Sequence, residues 1–248
     1  MSLHWMQLWL KEQNEFDSVK TLHVIQHTSA EYLGFMEDHF EGRGIRFRYF
    51  RPFTEGTPLP ASSNPVDGLV LLGGGPWGTA GARNLPSLDA EIALTRVYLM
   101  TGKPVIGIGL GAQILAIAAD GKSESAPLTF SVGTLHRSDD LALNGYLPET
   151  MPHIVYMRDR PLPPNYAKTI AIDDCGQPAI FQIGENVLGF TGHPGFKKAM
   201  AEDLIMEFEE VPEQPEVALS ALTGLNRAVE DALVPLMTGI IQVMGLMR

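Results

Sequence analysis

Apolar positions along the chain recur with two alternating periods. Short β-branched or leucine-rich runs, Thr21-Leu22-His23-Val24-Ile25-Gln26-His27, Arg46 to Tyr49, Val66 to Leu72 and Pro104 to Ile108, read as strands. Between them, Ala30 to Phe40 and Pro86 to Gly102 read as helices, the second with Leu88, Ile92, Thr95 and Leu99 at helical spacing and Gly102 in the capping place. This strand-helix alternation predicts a parallel sheet covered by helices on both sides. After Pro127 the texture changes to short strands joined by polar turns: Leu128 to Leu135, Ile154 to Met157, Thr169 to Ile172, Ala179 to Ile183 and Val187 to Phe190. They predict a small antiparallel addition to the sheet.

A helix from about Lys197 to Glu210 follows. Leu222, Leu225, Val229, Leu233, Leu236, Ile240, Val243 and Met247 then recur at spacings of three and four, interrupted by Pro235, which should kink the helix. This stripe admits two readings: packing within the chain, or a seam for a homodimer or another protein partner. At the other end, Trp5, Leu8 and Trp9 suggest a helical arm. The organisation expected is an arm over 1–20, an α/β domain over 21–210 and a C-terminal helical extension over 211–248.

The stretch of greatest chemical interest is Pro104 to Gln113. A buried strand stops at Gly107, Gly109 and Gly111 and hands over to an alanine-rich helix. A turn at the carboxyl end of a parallel strand holds its apex residue in an unusual backbone conformation, with helix amides aimed at the space above it. Here the apex is Gly109. A second glycine loop, Gly73-Gly74-Gly75-Pro76-Trp77-Gly78, follows the strand ending at Leu72, and Thr191-Gly192-His193-Pro194-Gly195 follows the strand ending at Phe190.

Charge narrows the partners. With a net charge of -11 and no basic run, the chain lacks the clustered Lys and Arg that a nucleic acid or an anionic membrane needs. No zinc-ligand spacing appears, so neither metal nor cofactor is expected. The single cysteine, Cys175, forms no internal disulfide and sits in an Asp-Asp-Cys-Gly turn. No uncharged apolar span is long enough to cross a bilayer, and the expected location is the cytoplasm.

The Gly-Gly-Pro loop, the G-x-x-x-G-x-Q turn and the terminal His-Pro, in this order, resemble the class I glutamine amidotransferase family, and Pro148 to Ala171 resembles the stretch between catalytic motifs in its stand-alone members. The resemblance spans roughly Leu22 to Glu210. It implies a three-layer, flavodoxin-like α/β fold with a mostly parallel central sheet. It also implies a cysteine nucleophile at the elbow, a histidine base and a glutamate two residues beyond it, which together hydrolyse the side-chain amide of glutamine. On this sequence those positions are Gly109, His193 and Gly195. Hydrogen cannot replace a thiolate, and an imidazole without its carboxylate lacks the group that fixes its tautomer.

The backbone N–H groups of Gly74, Gly75 and Leu110 are expected still to converge on a carbonyl oxygen, and Gln113 to line the substrate site. Gly109→Cys with Gly195→Glu is then expected to restore some hydrolysis. Where stand-alone members have His-Gly-Asp, this chain has Met157-Arg158-Asp159, so the pocket wall differs. Trp77 either stacks on a ligand or caps its loop. The expected function is that of a degenerate amidotransferase, a remnant that binds a partner or a small amide or carboxylate such as glutamine. Two alternatives are an active site rebuilt on His193, with Thr191 or a water as nucleophile, and a dinucleotide site. The second rests on Gly107-x-Gly109-x-x-Ala112, although Gly121 to Pro127 is a polar loop rather than the expected acid-tipped strand.

Overall fold

The computed structural model describes residues 19–54, 58–63 and 65–247. The expected N-terminal arm, with Trp5, Leu8 and Trp9, lies outside the described residues save for its last two positions.

Nine strands form one sheet: β1 (Thr21–Ile25), β2 (Arg46–Phe50), β3 (Gly68–Leu71), β4 (Val105–Ile108), β6 (Thr129–Arg137), β7 (Thr150–Met157), β9 (Lys168–Asp173), β10 (Pro178–Ile183) and β11 (Val187–Phe190), in the order β2-β1-β3-β4-β11-β10-β9-β6-β7. The first five in that order run parallel, and the remaining four continue the same sheet antiparallel. β5 (Lys122–Glu124) and β8 (Arg160–Leu162) make a separate two-stranded sheet. The Gly121 to Pro127 stretch thus does not return a strand beside β4, as a dinucleotide fold would require.

Period-two alternation divides the parallel strands between two cores. Leu22, Val24, Val70, Leu72, Ile106 and Ile108 pack on one face against α1 (Met36–Glu41) and α6 (Asn226–Val243). Ile25, Leu69, Leu71 and Val105 pack on the other against α2 (Leu88–Met100) and α3 (Leu110–Ala118). Strands buried on both faces read as continuous apolar runs, which is why they are visible in the sequence. A third cluster joins β6 and β7 to α4 (Lys198–Glu207) and α5 (Pro215–Leu222).

One element differs from expectation. The helix predicted from Ala30 forms only over Met36–Glu41. Upstream, Glu31 N–H donates locally to Thr28 Oγ1, while Leu33 N–H to the Tyr49 hydroxyl and Phe35 N–H to Gly195 O are tertiary bonds; together they displace the helical ladder. The C-terminal stripe packs within the chain: Leu233, Leu236, Ile240 and Ile241 are buried in the first core, and α6 runs through Pro235 as one helix. Among the described residues, no helix is long and apolar enough to cross a membrane.

Candidate functional site

The elbow is formed as expected. Gly109 separates β4 from α3 with φ 56° and ψ −113°, its N–H donates to Phe190 O at 2.8 Å, and its carbonyl accepts from Ala112 at 3.0 Å. Side-chain-bearing residues adopt this backbone only under strain, and glycine relieves it. Space is not the obstacle, since a Cβ here would meet Gly73 Cα at 3.5 Å and Tyr156 O at 4.0 Å. The register Phe190↔Ile108 places the His193 segment at the same end of the neighbouring strand.

The glycine loop after β3 is not open. Gly75 N–H donates to Glu31 Oε2 at 2.7 Å, so one of the three expected oxyanion donors is taken by the chain's own carboxyl group. Glu31 lies against Gly73, and the Leu110 side chain packs on Gly74. Burial pushes the Glu31 carboxyl up to about 7, against the pull of the Gly75 hydrogen bond and of His27. Glu207 helps to close this end, its carboxylate accepting from the Ser29 hydroxyl at 2.8 Å and from Ala30 N–H at 3.2 Å.

Behind the loop sits a buried pair. His27 Nδ1 donates to Gly73 O at 3.0 Å and its Nε2 lies 2.7 Å from Glu91 Oε2, with both side chains wholly buried. Ser87 Oγ donates to the other Glu91 oxygen at 2.6 Å. Burial opposes a charge on His27, but the Glu91 carboxylate, the bonds it accepts and Gly73 together raise the imidazole above its ordinary value. Sequence reasoning missed His27, Glu31 and Glu91. The signal for the last was present: Glu91, Leu94, Thr95 and Tyr98, spaced i, i+3, i+4, i+7, form the buried face of α2, rotated from the Leu88/Ile92/Leu99 stripe that the sequence suggested.

His193 is held as a structural residue. Its Nε2 donates to Tyr32 O at 2.8 Å and its Nδ1 accepts from Gly195 N–H at 3.1 Å, so both ring nitrogens face backbone groups. Burial lowers its pKa to about 4, only partly offset by the Tyr32 bond. A base needs a free lone pair within reach of the proton it abstracts, and none remains here. In ¹⁵N spectra, His193 is expected as the neutral Nε2–H tautomer at pH 6, titrating near 4; a ring half-protonated at pH 6 would contradict this geometry.

The acid position is closed as well. A Cβ on Gly195 would lie 2.9 Å from Leu33 O, 2.9 Å from Met36 Cγ and 3.0 Å from Met36 N. Gly195→Glu is therefore not accommodated, contrary to the restoration expected from the sequence, because the 33–36 segment occupies the space that a carboxylate would need.

The remaining pocket wall is bonded internally. Gln113, fully buried, donates from Nε2 to Arg158 O at 2.5 Å and accepts at Oε1 from the Thr79 hydroxyl at 2.8 Å. Its amide is satisfied without a substrate. Arg158 donates to Pro76 O at 2.8 Å and pairs with Glu210. The Asp159 carboxylate accepts from the N–H groups of Thr79, Ala80 and Ala126. Trp77 packs under the Arg83 guanidinium, 4.7 Å from its ring centroid. Cys175 is exposed in the turn after β9. Among the described residues no cluster of three His, Cys, Asp or Glu side chains is placed to hold a metal.

No family model matches the chain. It is 26% identical over 185 residues to a glutamine-hydrolyzing GMP synthase subunit from Haloarcula marismortui, covering 73% of this chain and 92% of that one. It is 30% identical over 139 residues to the carbamoyl phosphate synthase small chain of Vibrio vulnificus, covering 56% of this chain and 36% of that one. Among solved structures, a glutamine amido transferase from Methylobacillus flagellatus superposes with a TM-score of 0.76 at 21% identity, over 91% of this chain and 96% of the other. A glutamine amidotransferase from Thermotoga maritima gives 0.74 at 20% identity, over 92% and 99%.

Proposed function

We propose that this class I glutamine amidotransferase-like protein does not hydrolyse glutamine and works as a non-catalytic interaction module. One observation carries the reading. The oxyanion donor Gly75 N–H is bonded to Glu31 at 2.7 Å across from an elbow whose apex, Gly109, bears no nucleophile. One of the donors that would polarise an amide carbonyl is turned inward, with Gln113 and His193 likewise bonded within the chain. Glutamine, the ligand expected from the sequence, would have to displace Glu31 to reach these amides. Two relatives carry names that mark them as one component of a synthase, so the partner proposed is another polypeptide. The compartment proposed is the cytoplasm, in keeping with the single cysteine.

The test is ammonia release from glutamine by the purified chain, coupled to glutamate dehydrogenase, beside calorimetric titration with glutamine. Release no faster than in buffer and no saturable heat are expected for both wild type and Gly109→Cys, since the added thiol still lacks a base. Ammonia release that His193→Ala abolishes would overturn the reading.

A further inference from the structure

A cavity of about 500 Å³ lies on the antiparallel half of the sheet. Its floor is one face of β6 and β7, built from the cross-strand pairs Thr129–Met157, Ser131–Val155 and Gly133–His153. The intervening residues Phe130, Ile154 and Tyr156 point to the opposite face and pack with α4 and α5. Among the described residues no helix lines it; Pro161 and Leu162 of β8 and the 173–178 turn wall it instead. The volume is that of an ordinary small-molecule site.

One end of the cavity is polar, lined by His153, Thr191, Asp173 and Asp174. His153 is 8% exposed. Its Cδ2–Nε2 edge faces Gly192, and Nε2 lies 3.0 Å from Thr191 Oγ1, which itself donates to Ala179 O at 3.2 Å. Assigned from this network, Nε2 carries the proton and Nδ1, on the opposite edge of the ring, keeps a lone pair. Among the described residues Nδ1 has no partner. Burial, outweighing Asp173 and Asp174 nearby, keeps the imidazole neutral.

The charges at this end are of one sign. Asp174 accepts from Thr134 N–H and pairs with His136, and Asp173 accepts from the N–H groups of Cys175 and Gln177. Elsewhere in the lining, Glu124 stands opposite Arg160 in the β5–β8 register, and the Asp159 carboxylate is spent on backbone N–H groups. The uncompensated feature is the free acceptor lone pair of His153 beside two carboxylates, next to an apolar wall of Val155, Met157 and Leu162. Such an end attracts a donor that carries positive charge.

We propose that this cavity binds a small primary amine with an apolar body, its ammonium donating to His153 Nδ1 and facing Asp173 and Asp174, its ring or hydrocarbon part lying between the β6–β7 face and β8. The proposal does not rest on whether glutamine is hydrolysed.

Cys175, the chain's single cysteine, lines this cavity and is exposed, so it reports on occupancy. The intact chain is titrated with tryptamine and phenethylamine while the rate of Cys175 alkylation by iodoacetamide is followed by mass spectrometry. Indole-3-propionate, which carries the same ring with the opposite charge, is the control. Saturable protection by the amines and none by the acid are expected. Asp173→Asn, which keeps the acceptor oxygen and removes the charge, should weaken tryptamine by about tenfold, the loss of one close charge contact. Val155→Trp should fill the floor and abolish protection; if its melting curve shows it unfolded, Val155→Phe takes its place. No saturable protection by either amine, equal protection by the acid, unchanged affinity in Asp173→Asn, or undiminished protection in the filled variant would each overturn the proposal.

Discussion

Glu91→Ala is expected to lower the free energy of unfolding by about 3–5 kcal/mol, read from the shift of a urea denaturation midpoint at unchanged slope. The magnitude follows from burial, because both members of the His27–Glu91 pair are wholly out of water. Assembling such a pair gains little over an apolar pair, whereas removing one member strands the other. Here the stranded groups are His27 Nε2 and the Ser87 hydroxyl, both of which lose their acceptor on α2. Glu91→Gln retains the shape and can still serve Ser87 and His27 as a neutral partner, so its loss should be less than half as large. A loss below about 1 kcal/mol for Glu91→Ala would mean that water or a relaxed backbone replaces the carboxylate, and that the pair does not hold α2 to the loop after β3.

The second large effect depends on pH. Glu31 has a folded-state pKa raised from 4.5 to about 7. Below about pH 4.5 the carboxyl is protonated in both states, and the favourable contribution is fully present. As pH rises through 7 the folded state must give up a proton that burial helps it hold, and the contribution is lost. The difference corresponds to on the order of 3 kcal/mol. His193 acts in the opposite sense, because its pKa is lowered from 6.5 to about 4. Its neutral buried form is penalised as pH falls from 6.5 toward 4, where the unfolded chain takes up a proton more readily. The two slopes oppose each other between about pH 4.5 and 6.5, so these two groups together contribute little net pH dependence there. Glu31→Gln keeps an oxygen for Gly75 N–H and removes the titration. It should match the wild type near pH 4.5, exceed it by up to about 3 kcal/mol at pH 8, and gain stability with pH in between as the His193 slope is uncovered. Parallel curves for the two proteins from pH 4.5 to 8 would show that Glu31 is ionised in the folded state throughout.

The parts of the molecule legible in the sequence are those whose burial is local and repetitive. β11 ends where the apolar run Val187–Phe190 ends, and the β4–Gly109–α3 turn is recognisable because a central strand is apolar on both faces and its apex is a glycine. What stayed hidden depends on contacts between distant segments. Tyr32, Leu33, Phe35, Met36 and Phe40 carry a spacing that passes for a helix, yet bonds from Leu33 to Tyr49 and from Phe35 to Gly195 keep the first half of that stretch out of the helix. Glu31 was unremarkable in a polar-apolar mixture, and only the fold brings it to Gly75. The inertness of His193 was likewise beyond local pattern, since the carbonyl that occupies its Nε2 belongs to Tyr32, on the far side of the sequence.

The contact between Gly34 and Gly195 sets a direction on the history of the chain. A Cβ on Gly34 would collide with Gly195 O, and one on Gly195 would collide with Leu33 O and Met36 N. Neither position can acquire a side chain while the other segment stays where it is. On the proposed reading, a carboxylate cannot enter position 195 by one substitution, and a cysteine at 109 alone would find no base. Recovery of the reaction would require the 31–36 segment to leave, and with it Glu31 from Gly75, before any catalytic group brought a benefit. Every single step back is destabilising or idle, so the pair of glycines acts as a ratchet, free to turn toward a sealed pocket and blocked in reverse.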